Sequence, residues 1–261
     1  MNISSRVYDV NIRAVLKGMV NSVMCLWFIA AFMAYFVKGL CGFANTLIFT
    51  TILSFGAANA RISPVDLLLG YPANLILTWK NGRSLDPKVY LPLAILVLMG
   101  SIPGALILKN VDVISIKLVF GFVVIALGME MFTREFRKNR ACASKLVLAI
   151  IGITAGMLCG LFGVGALLAA YVSRVTETNS SFKANISAVF IVDNTFRIIL
   201  YKALGLLTLG TVKAVLLLIP FALLGLFTGM KCCGHMNEKN VRKITTVLLI
   251  LSGISLVLKN L

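Results

Sequence analysis

Among the ionisable residues in otherwise apolar sequence, five stand out: Lys38, Asp66, Glu130, Asp193 and Arg197. A charge at the centre of a membrane helix costs about 2.5–3.5 kcal/mol even on the mild insertion scale, so each is a functional candidate. Lys38 and Arg197 would set positive charge beside an anion, chemistry suited to binding rather than to bond-making. Each residue also has a structural reading. Lys38 could carry its ammonium along its stem to an interface. Asp193 precedes Arg197 by four residues, the orientation that favours an intrahelical ion pair needing no ligand. Asp66 follows Ser63-Pro64 and reads as an acidic residue in the first turn of its helix.

Neutral groups extend the candidate set. Asn74 and Asn194 occupy matched positions in two halves of the chain, and Asn45, Thr46 and Thr195 offer further hydrogen bonds. Such side chains either hold a ligand or join neighbouring helices. Between them run two similar glycine patterns about 121 residues apart, Gly39-Leu40-Cys41-Gly42 and Gly160-Leu161-Phe162-Gly163-Val164-Gly165. Gly100 and Gly104 match Gly225 and Gly229, Lys117 matches Arg242, and Gly128 matches Gly253. This is the pattern of an internal duplication. In transporters built from such repeats, the substrate site lies where the broken helices of the two halves meet, and free N–H groups at the breaks attract anions. The candidate substrate-binding residues are therefore Lys38, Gly39, Gly42, Asn45, Asn74, Gly160, Gly163, Gly165, Asp193, Asn194 and Arg197, with no catalytic or metal-binding residue among them.

The elements that must position these groups are membrane helices. With 59% hydrophobic and 13% charged residues and a mean hydropathy of +0.98, the chain has too little polar surface to cover a soluble globule. Eight apolar stretches are evident, at about 23–56, 64–79, 90–108, 113–133, 146–172, 184–201, 211–230 and 241–258. They predict an all-α, polytopic integral membrane protein of about eight transmembrane segments in two four-segment repeats, each with a glycine-broken first helix. The organisation follows: a basic N-terminal segment 1–22, repeat 1 at 23–133, a basic connection 134–145 and repeat 2 at 146–261. Val23 to Phe55 as a straight helix would span about 50 Å against a hydrocarbon core of about 30 Å. The length demands a break, which predicts two pieces of about 15 residues and favours unwinding at the G-L-x-G sites. Gly100-x-x-x-Gly104 and Gly225-x-x-x-Gly229 suit close helix packing instead.

The net charge of +16 lies mostly in flanks of the apolar stretches, where it anchors the chain to anionic lipid rather than to nucleic acid. Whether the first segments cross once or double back, the positive charge bias places the connection carrying Arg134, Arg137, Lys138, Arg140 and Lys145 in the cytoplasm, and leaves the termini undecided. Cys41 and Cys159 flank the breaks as thiols, though buried cysteine ordinarily acts as a small hydrophobe. The cysteines show no C-x-x-C spacing, and the single His235 is expected in a loop, which argues against zinc. No Walker sequence, H-E-x-x-H or G-x-S-x-G is present, so neither self-contained ATP-driven pumping nor a standard hydrolase is indicated.

The glycine-rich breaks opening each half, together with the repeat organisation from about residue 23 onward, resemble the TauE/SafE family of sulfite exporters. The resemblance implies an integral inner-membrane permease that exports sulfite or a related small anion, organosulfonates included, without hydrolysing ATP. The expected partners are a small inorganic or organosulfur anion and the lipid bilayer, with no nucleic acid and no cofactor, and with homo-oligomerisation open. A non-transporting membrane scaffold or assembly factor, and less readily a membrane-embedded enzyme, are the alternatives.

Overall fold

A computed structural model describes residues 24–53, 59–107, 152–157, 165–203 and 207–260, together with single residues at 122, 125, 129, 149, 159 and 205. Among the described residues the chain is all helical, without a strand. The helices are α1 (Met24–Cys41), α2 (Asn45–Leu53), α3 (Asn59–Lys80), α4 (Pro87–Ile107), α5 (Ala166–Val175), α6 (Asn179–Ala203), α7 (Leu209–His235) and α8 (Glu238–Asn260), with a helical stretch at 152–157. Three of them, α1, α6 and α7, are long and apolar enough to cross a membrane. The fourth apolar stretch apart from residues 122, 125 and 129, the basic connection 134–145 and the N-terminal segment 1–22 lie outside the described residues, as do Lys117, Gly128 and Glu130.

The expected break in the first segment is present, but it is asymmetric. Helix α1 runs 18 residues to Cys41 and the helix after the break has only 9. The turn sits at Gly42, with φ +86°, and Ala44, with φ 71°. Gly42 N–H donates to Lys38 O at 2.7 Å, closing α1 with a left-handed residue that glycine adopts at little cost. Gly39 is thus still helical. Most helices also extend past their apolar runs: α3 begins at Asn59 rather than residue 64, and α6 at Asn179 rather than 184. Polar end turns are helical yet carry no hydropathy signal. The hydroxyl of Thr178 accepts from Ser181 N–H at the start of α6, and Thr208 accepts from Thr211 N–H at the start of α7. His235 lies in the last turn of α7 rather than in a loop, its Nδ1 2.9 Å from Lys231 O.

Two glycine crossings hold the bundle tightly. Gly39 on α1 packs against the backbone of α7 at Leu226, Gly229 and Met230, while Gly225 and Gly229 meet the α1 backbone at Phe32 and Phe36. Similarly, Gly100 on α4 meets the backbone of Ile153, Gly156 and Met157, and Gly156 meets that of Val97. In lipid, where burying apolar side chains supplies no driving force between helices, such close approach is what gives packing its strength. A Cβ on Gly229 would collide with Phe36 O and sit 2.9 Å from Phe36 C and 3.2 Å from Gly39 Cα. These are backbone atoms and cannot swing aside. Gly229→Leu is therefore expected to cost about 1–3 kcal/mol or more, read as a lowered thermal midpoint and lost monodisperse yield. Gly234→Ala, with nothing within 4 Å, serves as its control.

The two crossings enclose two apolar clusters. One joins Val37, Phe43, Leu93, Val97, Leu168, Val172 and Ile186; the other joins Ala31, Tyr35, Phe49, Leu69, Leu77, Leu218 and Leu226. Both draw on α1 and α2. The outer faces are apolar as well, with Leu209, Leu216, Leu224 and Phe227 of α7 exposed, the distribution expected of helices solvated by lipid.

Candidate functional site

At the break between α1 and α2, side chains from α3 and α6 converge on a partly open cavity of about 30 Å³, room for roughly two waters. From α3 come Ser63, Asp66, Gly70 and Asn74, which recur every three or four residues and so form one polar face. From α6 come Phe190, Asn194 and Arg197, again on a single face. Lys38 ends α1's contribution, residues 43–47 supply the break and the first turn of α2, and Gly165 supplies the start of α5.

Lys38 is 1% exposed and does not reach an interface. Its Nζ donates to Asn45 Oδ1 at 2.9 Å and lies 5.4 Å from the centroid of the Phe190 ring, a cation–π arrangement that offsets part of the cost of burial. Asn45 in turn donates from Nδ2 to Asp66 Oδ1 at 3.1 Å. Thr46 donates to Asp66 Oδ2, and the Tyr35 hydroxyl lies 3.2 Å from both Oδ1 and the main-chain oxygen of Asp66. Asp66 thus has donors for both carboxylate oxygens. It lies within α3 well beyond the first turn, because the helix starts at Asn59 and Pro64 is internal. The expectation of a helix-start acid is corrected on that ground: Asp66 is a cavity residue.

Arg197 is 5% exposed and lines the same cavity. The expected ion pair with Asp193 does not form. Arg197 Nη2 donates to Tyr201 OH at 3.0 Å, Tyr201 OH lies 3.2 Å from Ser63 Oγ, and Arg197 Nε has no partner. Asp193 points instead to α4, where Ser101 Oγ sits 2.6 Å from its Oδ1. Helical spacing allowed the pair, but α4 and Tyr201 offered each side chain a competing partner. Asp193 is consequently behind the cavity wall rather than in it.

Of the other sequence candidates, Asn45, Asn74, Asn194 and Gly165 line the cavity. Asn74 is 1% exposed and its Oδ1 has no partner. A Cβ on Gly165 would run into the Phe190 ring, so this glycine keeps the α5 end of the cavity clear. Gly39 and Gly42 do not line it. Gly39 serves the α1–α7 crossing, which corrects its expected place in an unwound stretch, and Gly42 shapes the turn. Gly160 and Gly163 lie outside the described residues. Cys41 and Cys159 are buried but are not cavity-lining.

Tyr35, Phe190, Tyr201 and Ser101 were not among the sequence candidates, and neither was a third buried cation. Lys183, at the polar start of α6, is buried and donates to Gly39 O at 2.8 Å. It caps the C-terminal carbonyls of α1, where a cation is favoured by the helix dipole. Lys183 Cγ sits 3.0 Å from where a Cβ on Gly42 would be, so Gly42 is required both by its φ and by this approach. The recurrence of Phe190, Asn194, Arg197 and Tyr201 every three or four residues, with Lys183 two turns before Phe190, was the available signal for this face.

Counting donors shows what the cavity can do. Lys⁺ has three N–H groups and Arg⁺ five; Lys38 and Arg197 each spend one on a side-chain hydrogen bond. Two cations against one satisfied carboxylate leave a cavity with surplus positive charge and surplus donors, the requirements of a small oxyanion site. The family model described as sulfite exporter TauE/SafE matches residues 27–256. No curated protein and no solved structure matches the chain.

Proposed function

Because this chain belongs to the TauE/SafE sulfite exporter family, we propose that it is a secondary transporter exporting sulfite or a related sulfur-containing anion through the cavity at the α1–α2 break. The observation that carries this reading is the pairing of Lys38 and Arg197 on one buried cavity, from opposite halves of the chain, with donors unspent. Outward movement of an anion is favoured by a negative interior, by about 2.3 kcal/mol per charge per 100 mV. Export of an anion that keeps net negative charge in transit therefore needs no nucleotide.

In this reading the chain crosses the cell membrane in about eight segments arranged as two repeats. The two glycine crossings support it: the first helix of each half packs on the third helix of the other, α1 on α7 and 152–157 on α4. The connection 134–145 faces the cytoplasm. A membrane-impermeant thiol reagent is expected to leave Lys138→Cys unlabelled in intact cells and to label it after lysis; labelling of intact cells would reverse the orientation. The function itself is tested by efflux and counterflow from proteoliposomes challenged with sulfite, thiosulfate, sulfonates and small carboxylates. Movement of sulfite or another sulfur oxyanion is expected, and retention of all of them by folded protein would leave the scaffold reading in its place.

A further inference from the structure

Asp66 and Asp193 are both buried, and they differ in the feature that decides whether a buried carboxyl can stand as an anion, the supply of hydrogen-bond donors. Asp66 receives hydrogen bonds from Tyr35, Asn45 and Thr46. Among the described residues Asp193, 1% exposed, has a side-chain hydrogen bond only with Ser101. Ser101 Oγ is 2.6 Å from Asp193 Oδ1 and 3.0 Å from Gly156 O. A serine hydroxyl carries one hydrogen, so beside an ionised Asp193 it would face two acceptors with a single hydrogen. Among the described residues Asp193 Oδ2 meets no donor. Arg197, one turn away at the spacing that favours an ion pair, bonds Tyr201 instead and leaves its Nε unpartnered.

A carboxylic acid accounts for all of these contacts together. The acid hydrogen passes from Asp193 Oδ1 to Ser101 Oγ, the serine hydrogen goes to Gly156 O, and Oδ2 remains as a neutral carbonyl oxygen, far less costly to bury than a charge. A neutral Asp193 also exerts no net pull on the guanidinium, which fits the missing ion pair.

We propose that Asp193 holds a proton in this conformation and that this proton is coupled to anion binding through Arg197. The proposal rests on the transport reading above and names the ion that accompanies the anion. Among the described residues, the titratable and charged groups around Asp193 are the Cys159 thiol, the Arg197 guanidinium and the Tyr201 hydroxyl, while α4 contributes the neutral Ser101. Loss of the proton creates a carboxylate four residues before Arg197, whose attraction draws the guanidinium off the cavity wall. With the proton in place, Arg197 keeps its donors on the cavity. Proton and anion therefore favour one another's binding by the same factor, and one proton travels with each anion, cancelling one unit of its charge, so that the membrane potential drives only anions carrying a second charge.

Infrared spectra of the purified full-length protein at neutral pH test the first half. A carboxylic acid carbonyl band that shifts in D2O, persists in Asp66→Asn and vanishes in Asp193→Asn is expected; loss of only a carboxylate band in Asp193→Asn overturns the proposal. The asparagine amide can donate to Ser101 as the acid does, so folding is expected. Should that variant fail to fold, Ser101→Ala, which removes the acceptor of the acid hydrogen, must move the same band, and an unmoved band counts against the assignment. The second half is read from binding of methanesulfonate, whose charge is constant across neutral pH, with sulfite alongside. Affinity is expected to fall as pH rises, by at most about tenfold per unit for one linked proton, with proton uptake on binding in weakly buffered solution. Both effects should be absent in Asp193→Asn. If wild-type affinity is flat with pH, or the dependence survives in Asp193→Asn, the coupling is wrong. If neither probe binds, the coupling falls with the transport reading, while the infrared band still decides the protonated carboxyl.

Discussion

Lys38→Met is expected to weaken anion affinity by about 2–3 kcal/mol, roughly a hundredfold, the usual loss when a charged donor to a buried acceptor is removed. Methionine keeps the unbranched stem, so the end of α1 is preserved while the ammonium goes, and with it the cation–π contact to Phe190. The substitution also strips Asn45 Oδ1 of its donor. Part of the loss therefore reflects a disturbed Asn45–Asp66 link, which Asn45→Asp would aggravate by setting a second carboxylate beside Asp66. Equilibrium binding of sulfite to folded, purified protein reads the effect. Unchanged affinity would remove Lys38 from the site and shift the weight to Arg197 and the Asn74 and Asn194 amides.

Arg197→Gln is expected to be at least as damaging, about 3 kcal/mol or more, because Arg197 brings more unspent donors and its planar fork can grip two oxygens at once. Arg197→Lys restores the charge without the fork and should fall between the two. Tyr201→Phe removes only the hydroxyl that takes Nη2, and should leave affinity within about 1 kcal/mol, since the lost bond is one the anion itself can replace. A Tyr201→Phe loss as large as that of Arg197→Gln would mean that the guanidinium serves the Tyr201–Ser63 contact and not the anion. Folding yield adds a separate reading. With Asp193 bonded to Ser101 rather than to Arg197, neutralising Arg197 breaks no ion pair, and Arg197→Gln should fold nearly as well as the parent.

The sequence by itself determined what depends on composition and local spacing. The apolar stretches required membrane helices, the length of Val23 to Phe55 required a break, and the sparse charges singled out Lys38 and Arg197. The duplicated asparagines likewise named two groups that line the cavity. Each of these follows from a cost paid wherever the chain folds, for a charge in hydrocarbon or a helix longer than the bilayer. Which partner each group takes could not be read this way. Asp66 looked like a helix-start residue because polar end turns carry no apolar signal and hid where α3 begins. Gly39 and Gly42 read as one motif, yet three residues put Gly39 on the α7 backbone and Gly42 in the turn. Asp193 and Arg197 were correctly spaced for each other and were separated by Ser101 and Tyr201. Only the tertiary structure decided between these partners, because groups of similar local geometry compete for hydrogen bonds that helices distant in sequence, α4 above all, bring within reach.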